Sequence, residues 1–177
     1  RSNRAAWAEI DLGALAHNYR EIRSRIQKGA KLCAVVKADA YGHGAVMLSK
    51  VFLQNGADRL AVSSLDEGTE LRRAKITAPI LILGHTAGER AEELLDNDIE
   101  PAVFSYRDAE MFSRKAVETG REVKIHIAAD TGMCRIGYVP SPEAIEEVKK
   151  IAALPGIAMQ GIFTHFSEAD IADKEWA

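Results

Sequence analysis

The chain has 177 residues, 47% hydrophobic and 28% charged, with a formal net charge of −3. That is an ordinary globular profile with enough sequence for one domain and a real core, neither disordered nor membrane-spanning. Interspersed charges give no basic stripe for nucleic acid, and Cys33 and Cys134 fit neither a metal spacing nor a disulfide framework.

In chain order, Ala8–Asp11 reads as a short lead-in strand, so residues 1–11 are set apart from 12–177. Asp11 can cap a helix whose apolar residues Leu12, Leu15, Tyr19, Ile22 and Ile26 recur every three to four positions. The apolar run Leu32–Lys37 follows and ends on a lysine, with a glycine-bracketed turn through Gly44. A helix with Val46, Leu48, Val51 and Phe52 closes near Gly56. The run Leu60–Leu65 precedes a helix predicted to start at Asp66, and Pro79–Gly84 precedes one predicted to start at Thr86. After Pro101–Ser105, the pair Ser105 and Asp108 marks a capping box for a helix stopping at Gly120. Val123–Ala129 leads to a glycine-rich loop, then Ser141-Pro142-Glu143 opens a helix ended by Leu154-Pro155-Gly156. Ile157–Phe166 is the sixth run, and Ser167–Ala177 looks like a loop entering another helix.

Strands with little polar alternation, separated by helices, predict an α/β fold with a parallel sheet buried on both faces. With no dinucleotide-type glycine motif, a (β/α) barrel is favoured over a doubly wound sheet. A closed barrel needs about eight strands. The shortfall predicts an incomplete TIM barrel, part of a longer chain.

Chemistry in a barrel sits at the C-terminal strand ends. Three groups are expected to converge there: Lys37, the loop Asp130–Gly137, and Thr164-His165-Phe166. A strand-end lysine can form a Schiff base, or simply close the strand and reach water. Arg135 could grip a carboxylate bidentately, or sit in a structural salt bridge with Asp130. His165 could orient a ligand, bind a metal, or be a hydrogen-bonded core histidine. Tyr41 could point its hydroxyl at a phosphate or pack, His43 shapes the turn, and His126 reads as structural.

The strings Ala34-Val35-Val36-Lys37-Ala38-Asp39-Ala40-Tyr41-Gly42-His43-Gly44, Thr131-Gly132-Met133-Cys134-Arg135-Ile136-Gly137 and Thr164-His165-Phe166 stand in the order and spacing of the alanine racemase barrel domain. So does the opening Trp7–Leu12 with Asn18. The chain resembles that family over essentially its whole length, but only the first half of a family member; the family's C-terminal β domain is absent. The resemblance implies pyridoxal 5'-phosphate (PLP) on Lys37, which also serves as one of two bases for the α-proton. It implies that Arg135 binds the PLP phenolic oxygen and the substrate carboxylate. His165 would stand behind an arginine near the pyridine nitrogen, and Tyr41 would line the cofactor pocket. The implied activity is interconversion of L- and D-alanine, supplying D-alanine for peptidoglycan, in a cytoplasmic homodimer with no metal, nucleic acid or membrane partner. Many relatives carry a carbamylated lysine where this chain has Ala128, so Arg135 must be supported otherwise. This polypeptide alone is expected to be inactive, because the opposing tyrosine base and the late-barrel phosphate loops belong to the missing half.

Three other readings stay open. One is a serine-preferring or broad-specificity racemase, another a non-catalytic PLP-binding barrel protein. The last is a metal-dependent hydrolase using His126, Asp130 and His165.

Overall fold

The computed structural model describes residues 6–170. Its fold is α/β with six parallel strands: β1 (Cys33–Val35), β2 (Arg59–Val62), β3 (Ile80–Ile82), β4 (Glu100–Val103), β5 (Val123–Ala128) and β6 (Ile157–Phe163). Each of the six predicted runs overlaps one of them, with β2 and β4 starting one residue earlier, at Arg59 and Glu100. The chain divides into two compact units, Arg1–Ile80 and Leu81–Ala177.

In the first unit, Ala34 pairs with Leu60 and Val35 with Ala61 in register. Leu60, Ala61, Val62, Leu65 and Leu71 are essentially excluded from water. Burying a Leu or Val of this kind contributes about 1.5–3 kcal/mol each. Asp11 caps the helix Leu12–Arg25 as expected, its Oδ1 accepting from Gly13 N at 2.8 Å and Ala14 N at 3.0 Å. The preceding Ala8–Ile10 forms no strand, contrary to the lead-in expectation. A strand needs a neighbour for its backbone groups, and no described residue pairs with this segment. An Asp66 cap predicts a helix over Glu67–Lys75; the helix found, Leu65–Arg73, begins two residues earlier, because Ser64 is its cap and Asp66 lies in its first turn.

In the second unit, β4 pairs with β3 and β5, and β5 with β6. Ser105 and Ser141 cap the helices Tyr106–Thr119 and Pro142–Ala152, and Gly120 closes the first in a left-handed conformation. Phe112, Ile125, Ile127 and Ile151 form the centre of this core. The predicted helix after Thr86 is split into a 3-10 turn, Gly88–Arg90, and a helix, Ala91–Asn97. Burial on both faces fails at β6, where Met159 and Ile162 are exposed. Of the closing segment, Ser167–Asp170 is irregular and the expected helix lies outside the described residues.

Candidate functional site

Lys37 does not end a strand. β1 stops at Val35, and the amide of Val36 makes one more bond, to Ala61 O at 2.8 Å. Lys37 then opens a turn in which Ala38, Asp39, Ala40 and Tyr41 are all left-handed, with φ of 50°, 52°, 50° and 56°. Left-handed helical backbone costs roughly 1–2 kcal/mol per residue with a Cβ. Four such residues in a row hold only if neighbouring groups fix them.

Those groups are visible. Ala40 N–H donates to Val36 O at 2.9 Å, and Gly44 N–H to Asp39 O at 2.9 Å. Asp39 Oδ1 accepts from Ala45 N at 2.6 Å, tying the turn to the helix Ala45–Gln54. His43 Nδ1 faces the carbonyls of Ala40 at 2.9 Å and Tyr41 at 3.1 Å. Two acceptors require that this nitrogen carry the proton. Glu67 Oε1 accepts from Ala38 N at 2.8 Å.

The turn leaves the lysine uncommitted. Its Nζ stands 5.8 Å from the centroid of the Tyr41 ring. Among the described residues no carboxylate pairs with it. Tyr41 is itself 63% exposed.

In the second unit, Asp130 leaves β5 and organises the arginine loop. Its Oδ1 accepts from Gly132 N at 3.0 Å and Cys134 N at 2.9 Å. The Cys134 and Gly132 amides, with those of Arg135 and Met133, hold this carboxyl below its ordinary value against a small desolvation penalty. Of the two readings of Arg135, the structural salt bridge with Asp130 is therefore not the arrangement found: the carboxylate takes backbone amides. Arg135 is exposed, and among the described residues its guanidinium has no partner.

The loop closes through Tyr138, whose N–H reaches Ala128 O and whose carbonyl accepts from Asp130 N, both at 2.9 Å. Gly137, at φ 116°, makes this crossing possible. A Cβ there would lie 2.8 Å from the Ala129 carbonyl carbon and the Asp130 nitrogen. Thr131 and Thr164 share a hydrogen bond at 2.7 Å, joining the loop to the segment after β6. His165 is exposed there, its Nδ1 2.7 Å from Phe166 O.

His126 takes no part in either loop. It is buried in β5 with its Nε2 2.6 Å from Glu100 Oε2, a structural pair as its position in the strand suggested. Among the described residues, no group of three or more His, Cys, Asp or Glu side chains is placed to hold a metal ion.

Residues 10–177 match the family profile "Alanine racemase, N-terminal domain". The chain belongs to the alanine racemase N-terminal domain family. It is 50% identical over 173 residues to an alanine racemase of Clostridium tetani, covering 98% of this chain and 44% of that protein. A solved structure of a Clostridium difficile 630 alanine racemase in complex with cycloserine superposes with a TM-score of 0.96 at 39% identity, over 99% of this chain and 48% of that one. A histidine racemase from Leuconostoc mesenteroides gives a TM-score of 0.86 at 27% identity, over 93% of this chain and 44% of that one. The chain thus spans about half the length of the curated relatives it matches, and it is the N-terminal barrel portion of the racemase fold.

The alanine racemase family depends on PLP, and the residues here fit an aldehyde-bearing cofactor. A primary amine that no carboxylate among the described residues pairs with stands beside an exposed aromatic ring. Next to it, a Cβ at Gly42 or Gly44 would meet no heavy atom within 4 Å, so the backbone there is open to close approach. Reading residues in isolation overlooked Glu67 and Asp39, which fix the lysine turn. The spacing Ser64-x-x-Glu67 before Leu71 is a capping-box signal that could have drawn attention to the first.

Proposed function

We propose that the complete protein containing this chain is a PLP-dependent alanine racemase, with Lys37 as cofactor-bearing residue and base. The observation that carries this reading is the Lys37 amine, which no carboxylate among the described residues pairs with, displayed on a constrained turn in a chain of this family. Bound PLP supplies a conjugated ring that takes up the charge left when an α-proton departs.

The chain's own residues divide the remaining work. Lys37 holds the cofactor and, once released by substrate, takes or returns the α-proton at Nζ. Arg135 offers a fork of donors suited to a substrate carboxylate and to an anionic oxygen of the cofactor. Fixing the carboxylate orients the α-C–H bond, which is where binding geometry lowers the barrier. Tyr41 lines the cofactor side, and His165 orients a neighbouring cation. The complete enzyme acts as a cytoplasmic homodimer and supplies D-alanine for cell-wall synthesis.

The test uses the full-length protein. Borohydride reduction followed by peptide mapping is expected to find one reduced PLP on Lys37. Incubation with L-alanine is expected to yield D-alanine, and L-serine and L-histidine in the same assay measure how strictly alanine is chosen. A PLP adduct without α-proton exchange would leave a cofactor-binding protein, and no adduct on Lys37 would end the proposal.

A further inference from the structure

Glu67 makes more bonds than its helix needs. It sits in the first turn of the helix Leu65–Arg73, where its N–H meets the cap hydroxyl of Ser64 at 3.4 Å. A capping-box glutamate reaches back to satisfy one amide at the helix start. This one does that and continues. Its Oε2 accepts from Ser63 N at 2.7 Å and from Ser63 Oγ at 2.8 Å. Its Oε1 turns the other way and accepts from Ala38 N at 2.8 Å, across 29 positions of sequence.

Donors approach both oxygens, Ser63 N and Oγ on one and Ala38 N on the other, an arrangement that favours the ionised carboxylate, which has no proton to place among them. Partial burial opposes ionisation. The Ser63 and Ala38 amides, with the Ser63 hydroxyl and the Ser64 amide, outweigh it and hold the carboxyl below its ordinary value. Ala38 directly follows the reactive lysine and is the first of the four left-handed residues. The helix behind Glu67 is anchored by buried Leu65, Gly68, Thr69 and Leu71, so the carboxylate is presented from a fixed base.

We propose that Glu67 is a positioning residue for Lys37. Its carboxylate ties the backbone just past the lysine to the Ser63 end of β2, and so fixes the left-handed turn and the direction of the amine. This rests on the racemase reading only for what the amine then does.

The test compares Glu67→Gln and Ser64→Ala in the complete protein. Glutamine keeps the shape but has one acceptor oxygen, so either the Ala38 or the Ser63 amide loses its partner. Ser64→Ala removes the cap while leaving every bond to the carboxylate. In the cofactor-free protein, Glu67→Gln is expected to speed amide hydrogen exchange at Ala38 roughly tenfold, and Ser64→Ala to leave it unchanged. In the loaded protein, Glu67→Gln is expected to lower kcat roughly tenfold with KM for L-alanine within about twofold. Ser63→Ala, which deletes only the hydroxyl bond, is the milder variant, and its kcat should fall between the two.

Exchange at Ala38 unchanged in Glu67→Gln, or raised equally by Ser64→Ala, overturns the proposal. Faster exchange with an unaltered kcat also overturns it, because the tie then does not position the amine. Should the parent protein fail to turn over L-alanine, the racemase reading fails by itself. The proposal is then decided by the rate at which PLP and borohydride label Lys37, expected to fall in Glu67→Gln and overturning the proposal if it does not.

Discussion

The lysine turn and the arginine loop solve one problem in opposite ways. Each presents a basic side chain beyond the C-terminal end of a strand, and each uses carboxylates to do so. At Lys37 the backbone is strained through four residues that all carry a Cβ, and to the local bonds of Asp39 and His43 is added a restraint from Glu67, far along the chain. At Arg135 the restraint is local: Asp130 gathers the amides of its own loop, and Gly137 takes the tightest crossing. In neither place does a carboxylate among the described residues grip the cation. A carboxylate bound to the guanidinium or ammonium would compete with an anionic substrate, whereas one bound to backbone amides shapes the loop and leaves the charge available.

The comparison can be broken most severely at Gly137. Gly137→Ala puts a Cβ against backbone at a φ that side chains avoid, and is expected to lower unfolding stability by about 3 kcal/mol in urea titrations. A loss under about 0.5 kcal/mol would mean the loop can open without penalty. Asp39→Ala, which removes the 2.6 Å bond to Ala45 N, is expected to lower stability by about 1 kcal/mol. An unchanged denaturation midpoint would assign the turn's support to Glu67 alone. Ala38→Gly has the opposite sign. It relieves left-handed strain but adds chain entropy to the unfolded state, for a net gain of about 0.5 kcal/mol. A loss would argue that the alanine methyl packs productively.

The mildest prediction concerns pH. Both Glu67 and Asp130 are held below their ordinary values of 4.5 and 3.8. A lowered folded value means the unfolded chain binds the proton more readily, so each clamp contributes fully above the ordinary value and is lost as pH falls through the folded one. Amide chemical shifts of Ala38 and Ser63 should titrate with a midpoint below 4.5, and those of Gly132 and Cys134 below 3.8. A midpoint at or above either value would sink the corresponding clamp.

Much of this architecture was legible before any coordinates. Val/Ile/Leu runs and serine caps are local signals, and they located all six strands and the helices after Ser105 and Ser141. The helix after Ser64 was misplaced because Ser64 and Asp66 are both acceptable caps, and tertiary context chose between them. The left-handed turn was invisible, since Ala-Asp-Ala-Tyr carries no signal for positive φ and its glycines follow later. Lys37 and Arg135 stood out as chemistry, but the groups that hold them did not. An amide bond from Ala38 to a glutamate in another helix leaves no mark on spacing or composition. The exposed face of β6 was missed for a related reason, because apolar content alone does not say what covers a strand.

The strained turn also bears on the order of folding. Four left-handed residues are scarcely populated in a free chain, and the turn's own local hydrogen bonds must offset a strain of roughly 1–2 kcal/mol per residue. The turn can settle only after β2 and the first turn of the following helix are in place to bring Glu67 to Ala38. Lys37 is thus synthesised before Glu67 but aimed only after it is placed, and substitutions at Ala38 should alter unfolding rates while leaving folding rates nearly untouched.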